Sequence, residues 1–205
     1  MTTRSLAAAE RAELADLLDE LGPHAPTLCE GWDTAHLAAH LVTRDRRPDA
    51  VPGFALETTP VGRPLAAWSH RVEDRLRTGT PYAELVDRVR SGPPPWLPAA
   101  WPPVAGALDT VEYVVHHEDV RRAQPGWAPR PLPRAAQDRL WRALGLFGRV
   151  AAGQVPGALV LRRSDAPGEE RRFGSGTPET VVSGEPLELL LWASGRRDAA
   201  RVTTG

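Results

Sequence analysis

The chain has 205 residues, 41% of them hydrophobic, with a formal net charge of −1 and a single cysteine, Cys29. That length can bury a real core in one domain or two, and the balanced charge gives no reason to expect a nucleic acid or an anionic membrane as partner. A lone cysteine excludes an intramolecular disulfide and fits a reducing cytoplasm; no apolar run reaches transmembrane length, and the opening nine residues are too brief for a secretory h-region.

Residues 5–21 carry Leu14, Leu17, Leu18 and Leu21 at helical spacing and stop at Gly22-Pro23, which predicts a first amphipathic helix. His24 follows in a loop. Pro26-Thr-Leu-Cys-Glu-Gly-Trp32 is turn-rich, and Asp33 is a good N-cap for a second helix running to about Asp45. Leu37 and Leu41 mark its inner face and His40 flanks them, one turn before Arg44. Arg44, Arg46 and Arg47 oppose the dipole at the helix C-terminus, and an anionic substrate is a second use for them.

A loop is expected over 48–63, then a helix from Pro64 to Gly79 with Leu65, Trp68, Val72 and Leu76 inward and His70 outside. Thr80-Pro81 restarts a helix with Tyr82, Leu85 and Val89 inward. Proline density from Ser91 to Pro103 forbids helix, so this stretch reads as a crossing loop, with Trp96 and Trp101 either closing over a pocket or pinning the loop.

Thr110 to Arg122 reads as one helix, with Leu108, Val111 and Val115 in a stripe. Glu112 and His116 are four apart and share a face; Asp119 falls near it, and His117 points to the opposite side. An inward carboxylate and imidazole at this spacing are either two corners of a divalent-metal site or an ion pair at a bundle rim. His40, inward-flanking on another helix, is the best third ligand. Two histidines and one carboxylate match the ligand count of a catalytic zinc site. Cys29 reads as a partly buried structural thiol.

Residues 134–152 form a further helix with Ala136, Leu140, Leu144, Phe147 and Ala151 aligned. The pattern then changes. Strands are expected at 158–161, 169–173 and 179–182, a helix opens at Pro186 and ends at Gly195, and a last strand falls at 201–204. The expected fold class is α+β, with a helical bundle over 1–153 and a small α+β domain over 154–205.

Leu28-Cys-Glu-Gly-Trp-Asp-Thr-Ala-His-Leu-Ala-Ala-His-Leu41, followed far downstream by Glu112-Tyr-Val-Val-His116-His117, resembles the DinB-like superfamily and, within it, the mycothiol-dependent maleylpyruvate isomerase family of actinobacteria. Gly184 to Arg196 also resembles that family's C-terminal helix. The resemblance implies a DinB-like four-helix bundle followed by a small α+β domain, with a metal, zinc by preference, held by His40, Glu112 and His116. It further implies mycothiol as a thiol cofactor and a small electrophilic substrate undergoing isomerisation or S-transfer. Arg44, Arg121 and Arg122 are the residues expected to hold carboxylates of the bound molecules. Two other readings stay open: a bundle that binds a metal or small ligand without catalysis, and a bundle whose site stays empty.

Overall fold

The computed structural model describes residues 5–50, 62–97 and 107–205. Most of the expected loop at 48–63, part of the proline-rich stretch with Trp101, and the side chain of Leu108 lie outside them. The described residues hold seven helices and a four-stranded mixed sheet, an α+β arrangement that is mostly helical in its N-terminal part. They divide into two compact units, residues 1–127 and 128–205. No described helix is long and apolar enough to cross a membrane.

The first unit contains α1 (Leu6–Leu21), α2 (Thr34–Arg46), α3 (Arg63–Gly79), α4 (Tyr82–Ser91) and α5 (Ala107–Arg122). Local chemistry fixes the helix starts. The Ser5 hydroxyl accepts from the Ala8 amide, and the Asp33 carboxylate accepts from the His36 amide at 2.9 Å, each satisfying a first-turn donor that has no partner within its helix. Leu14, Leu18, Leu37, Leu41, Leu85 and Tyr113 are almost wholly buried in one cluster. α1 packs on α4 and α5, and α2 packs on α3 and α4. Arg46 closes the end of α4, bonding the Gly92 carbonyl at 2.9 Å and the Ser91 hydroxyl at 2.7 Å.

The face of α3 differs from the expected one. Its buried residues are Ala66, Ser69, Val72 and Glu73, while Leu65 and Trp68 are exposed and Leu76 is partly buried. The buried face is turned part of a residue, about 70° at 100° per residue, from the expected stripe, with Val72 common to both. Small side chains let α3 approach α2, and the turn brings Glu73 inward. Trp96 is exposed.

The second unit contains α6 (Arg134–Ala152), β1 (Ala158–Arg163), β2 (Glu170–Phe173), β3 (Glu179–Gly184), α7 (Pro186–Ala193) and β4 (Thr203–Thr204). The sheet order is β2-β1-β3-β4, with β1 and β3 parallel and both outer pairs antiparallel. α6 packs on α7 and against β1 and β2. Gly148 in mid-helix is needed there, because a Cβ would meet the Phe173 ring at 2.4 Å. The apolar stripe of α6 is therefore spent within this unit, and the boundary falls at 127/128, where it was expected near 153. Arg163, nearly fully buried, is held by Asp138 at 2.8 Å, Asp165 at 2.7 Å and Glu169 at 3.0 Å.

Candidate metal centre

Four pieces of the first unit bring charged side chains together. α2 presents His40 and, one turn on, Arg44, while Leu37 and Leu41 anchor the helix in the core. α5 presents Glu112, His116 and Asp119 from one face. α3 contributes Glu73. The turn over residues 26–33 contributes Cys29 and Trp32.

Glu112 lies at the centre. Its Oε1 is 3.2 Å from Nε2 of His40 and 3.3 Å from Nε2 of His116. The two imidazole rings stand edge to face, with centroids 5.4 Å apart. The other oxygen of Glu112 is 3.6 Å from Nε of Arg44. Each histidine turns its remaining nitrogen to another carboxylate: Nδ1 of His40 is 3.4 Å from Oε2 of Glu73, and Nδ1 of His116 is 2.9 Å from Oδ2 of Asp119. The Cys29 thiol donates to the same Asp119 oxygen at 3.2 Å, and the Trp32 ring centroid lies 5.0 Å from that of His40.

Electrostatics follow from this crowding. Burial alone would push the Glu112 carboxyl upward, but the bonds from His116 and His40 and the charge of Arg44 hold it well below the usual carboxylate range. Burial also works against protonated imidazoles. At His40 the bonds to Glu112 and Glu73 outweigh it and raise the pKa; at His116 the bonds to Asp119, Cys29 and Glu112 raise it well above the ordinary histidine value.

Among the described residues, three groups of side chains have the proximity to hold a cation: His40 with Glu112 and His116, Cys29 with His116 and Asp119, and Glu10 with Glu13 and His117. His117 faces away from the first two, as its helical position predicts, and pairs with buried Glu10 at 2.8 Å.

The three arginines expected near the site are placed differently. Arg44 adjoins it, and its guanidinium also meets Asp109 and Asp45. Arg121 and Arg122 both close on Glu118, whose side chain is fully buried, and Arg122 stacks on Trp127 at 4.7 Å. Glu73 was missed in the sequence. The available signal was the run Ala66, Ser69, Val72 and Glu73, a helical face of small residues ending in one acid. Cys29 is partly buried, as expected, but its hydrogen bond to Asp119 joins it to the cluster.

Residues 6–101 match the family model for the mycothiol maleylpyruvate isomerase N-terminal domain, so His40 lies inside the match and Glu112 and His116 beyond it. The crystal structure of the mycothiol-dependent maleylpyruvate isomerase superposes with a TM-score of 0.57 at 20% identity, covering 98% of this chain and 90% of that one. A histidine-to-alanine mutant of the same enzyme gives 0.58 with the same identity and coverage. At that identity the likeness is one of fold. No curated protein matches the chain. Residues 6–101 are thus similar to the mycothiol maleylpyruvate isomerase N-terminal domain, in a chain that shares the fold of the solved mycothiol-dependent enzyme.

Proposed function

We propose that this protein holds one divalent cation, zinc by preference, on His40, Glu112 and His116 of a DinB-like four-helix bundle, and uses it in mycothiol-dependent isomerisation or S-transfer on a small electrophile. The observation that carries the reading is the convergence of three donor atoms. Zinc bonds of 2.0–2.2 Å to nitrogen and oxygen imply ligand-to-ligand edges of about 3.4 Å in a tetrahedron. Both edges from Glu112 Oε1, 3.2 and 3.3 Å, are close to that. Three protein ligands leave a fourth position for a thiol or water. A cation there would lower the pKa of a bound thiol, supplying a thiolate at neutral pH.

The protein's own residues do the rest. His40 and His116 offer their Nε2 lone pairs while carboxylates take up Nδ1. Arg44 holds the second Glu112 oxygen, so that Oε1 stays turned to the histidines. Arg44 is also the guanidinium next to this cluster that would orient a carboxylate of the substrate, with Asp109 and Asp45 fixing its position. Arg121 and Arg122 each pair with Glu118.

The test is turnover of maleylpyruvate, and conjugation of a small electrophile, by chelator-stripped and zinc-reloaded protein with and without mycothiol. The reading expects turnover only when both zinc and thiol are present. Zinc and mycothiol binding without turnover of either substrate would replace it with a non-catalytic binding module.

A further inference from the structure

Asp119 is a buried acid with a specific set of neighbours. Its side chain is wholly buried, so its charge must be met inside the protein. Its Oδ2 lies 2.9 Å from Nδ1 of His116 and 3.2 Å from Sγ of Cys29. A carboxylate oxygen only accepts, so Nδ1 of His116 carries a proton and the Cys29 S–H points at Asp119. In the neutral ring that a cation would require, the lone pair of His116 is thereby placed on Nε2, the nitrogen that faces Glu112.

The turn carrying Cys29 is tied to the same residue by its backbone. The Leu28 amide donates to the Asp119 carbonyl at 3.0 Å. Within the turn, the Thr27 hydroxyl accepts from the Cys29 amide at 3.1 Å and donates to the Trp32 carbonyl at 2.8 Å. The segment that aims Cys29 at Asp119 therefore also sets Trp32 against the His40 ring. One short turn touches the surroundings of both histidines.

We infer that Cys29 and Asp119 are positioning residues for the cation: Asp119 fixes the tautomer and ring orientation of His116, and Cys29 acts through Asp119 as a thiol donor and not as a metal ligand. This rests on the metal reading above. Outer carboxylates of this kind make an imidazole a better donor, and their loss typically weakens metal binding about 10–100-fold. Glu73 stands in the same relation to His40 at a longer 3.4 Å, so its share is the smaller.

The experiment is cobalt binding to the full chain, in the wild type, Asp119→Asn, Cys29→Ala and Cys29→Ser. Affinity is read by competition with a chromophoric chelator, and geometry by the visible ligand-field bands. The wild type is expected to bind one cobalt with no thiolate-to-cobalt charge-transfer band. Asp119→Asn should bind about 10–100-fold more weakly with displaced ligand-field bands. Cys29→Ala should lose about two- to tenfold, the scale of one thiol hydrogen bond lost from the Asp119 carboxylate, and Cys29→Ser should recover it because a hydroxyl also donates. Circular dichroism checks that each variant folds; should Asp119→Asn fail to fold, the cysteine pair carries the test alone. Wild-type affinity and bands in Asp119→Asn and Cys29→Ala would overturn the inference. So would a thiolate band that disappears in Cys29→Ser, since Cys29 would then be a ligand. A wild type that binds no cobalt overturns the metal reading, and this inference with it.

Discussion

α5 carries two adjacent histidines with different surroundings. Both are buried, and both turn Nδ1 to a carboxylate at nearly the same distance, 2.9 Å for His116 and 2.8 Å for His117. On the His117 side the partner is Glu10 of α1, and the pair satisfies two buried polar groups where α1 and α5 pack. On the His116 side the partner lies on the same helix, and Nε2 meets Glu112, which also meets His40 of α2. A buried histidine–carboxylate pair is thus not in itself a functional signature. The distinguishing feature is what converges: on the His116 face two histidines and a carboxylate from two helices meet with outer acids behind them, whereas His117 meets only Glu10 and the exposed Glu13.

The largest expected effect breaks this comparison directly. His116→Ala should abolish metal retention, whereas His117→Ala should leave metal content per chain unchanged. Elemental analysis of both purified variants checks it. The second effect has the opposite distribution. His117→Ala removes the imidazole 2.8 Å from buried Glu10 and should cost about 1–3 kcal/mol of stability by denaturant melting. Equal metal loss in both variants would mean that the two faces are not distinct.

The two faces were unequally legible in the sequence. Glu112, His116 and His40 could be brought together because helical spacing assigns faces and flanking leucines point inward. The opposite direction of His117 followed from the same geometry. Glu73 did not emerge, because Leu65 and Trp68 outweigh Ala66 and Ser69 in any apolar stripe, while close approach of α3 to α2 favours the small pair. The unit boundary was displaced for a related reason. The stripe on α6 shows that this helix is buried but not against what, and only the sheet, with Phe173 against Gly148, supplies the partner. Arg121 and Arg122 looked available because nothing in a sequence shows that Glu118 sits between them.

A pH series sharpens the account of the His116 face. In the metal-free protein, His40 and His116 have pKa values raised above the histidine reference of 6.5. A raised folded pKa stabilises the fold fully below the unfolded value, and that contribution is lost as pH rises through the folded value. The cation needs both Nε2 atoms deprotonated, so its affinity should move the other way, rising about tenfold per pH unit for each proton displaced. Chelator competition across the neutral range measures this; an affinity independent of pH would remove the histidines from the ligand set.

A smaller effect tests the turned face of α3. Val72→Ala should cost about 2 kcal/mol, the usual scale for truncating a buried aliphatic. Trp68→Ala, on the exposed side, should cost under about 1 kcal/mol despite the larger side chain. Paired thermal melts decide the matter, and the reverse order would restore the stripe through Leu65 and Trp68. The smallest effect lies in the second unit. Bonds from Arg163 hold Asp165 and Asp138 below the usual carboxylate range. Their contribution is present above the unfolded pKa and lost as pH falls through the folded value. Arg163→Met should therefore flatten the acid limb of the stability–pH curve slightly without touching metal content.

The central claim is that His40, Glu112 and His116 hold one cation between two helices. Its most direct test is zinc stoichiometry by calorimetric titration of tag-free, chelator-stripped protein, with His40→Ala alongside. The account predicts one zinc per chain in the wild type and none retained by the variant. No zinc uptake by the wild type, or undiminished uptake by His40→Ala, would contradict it.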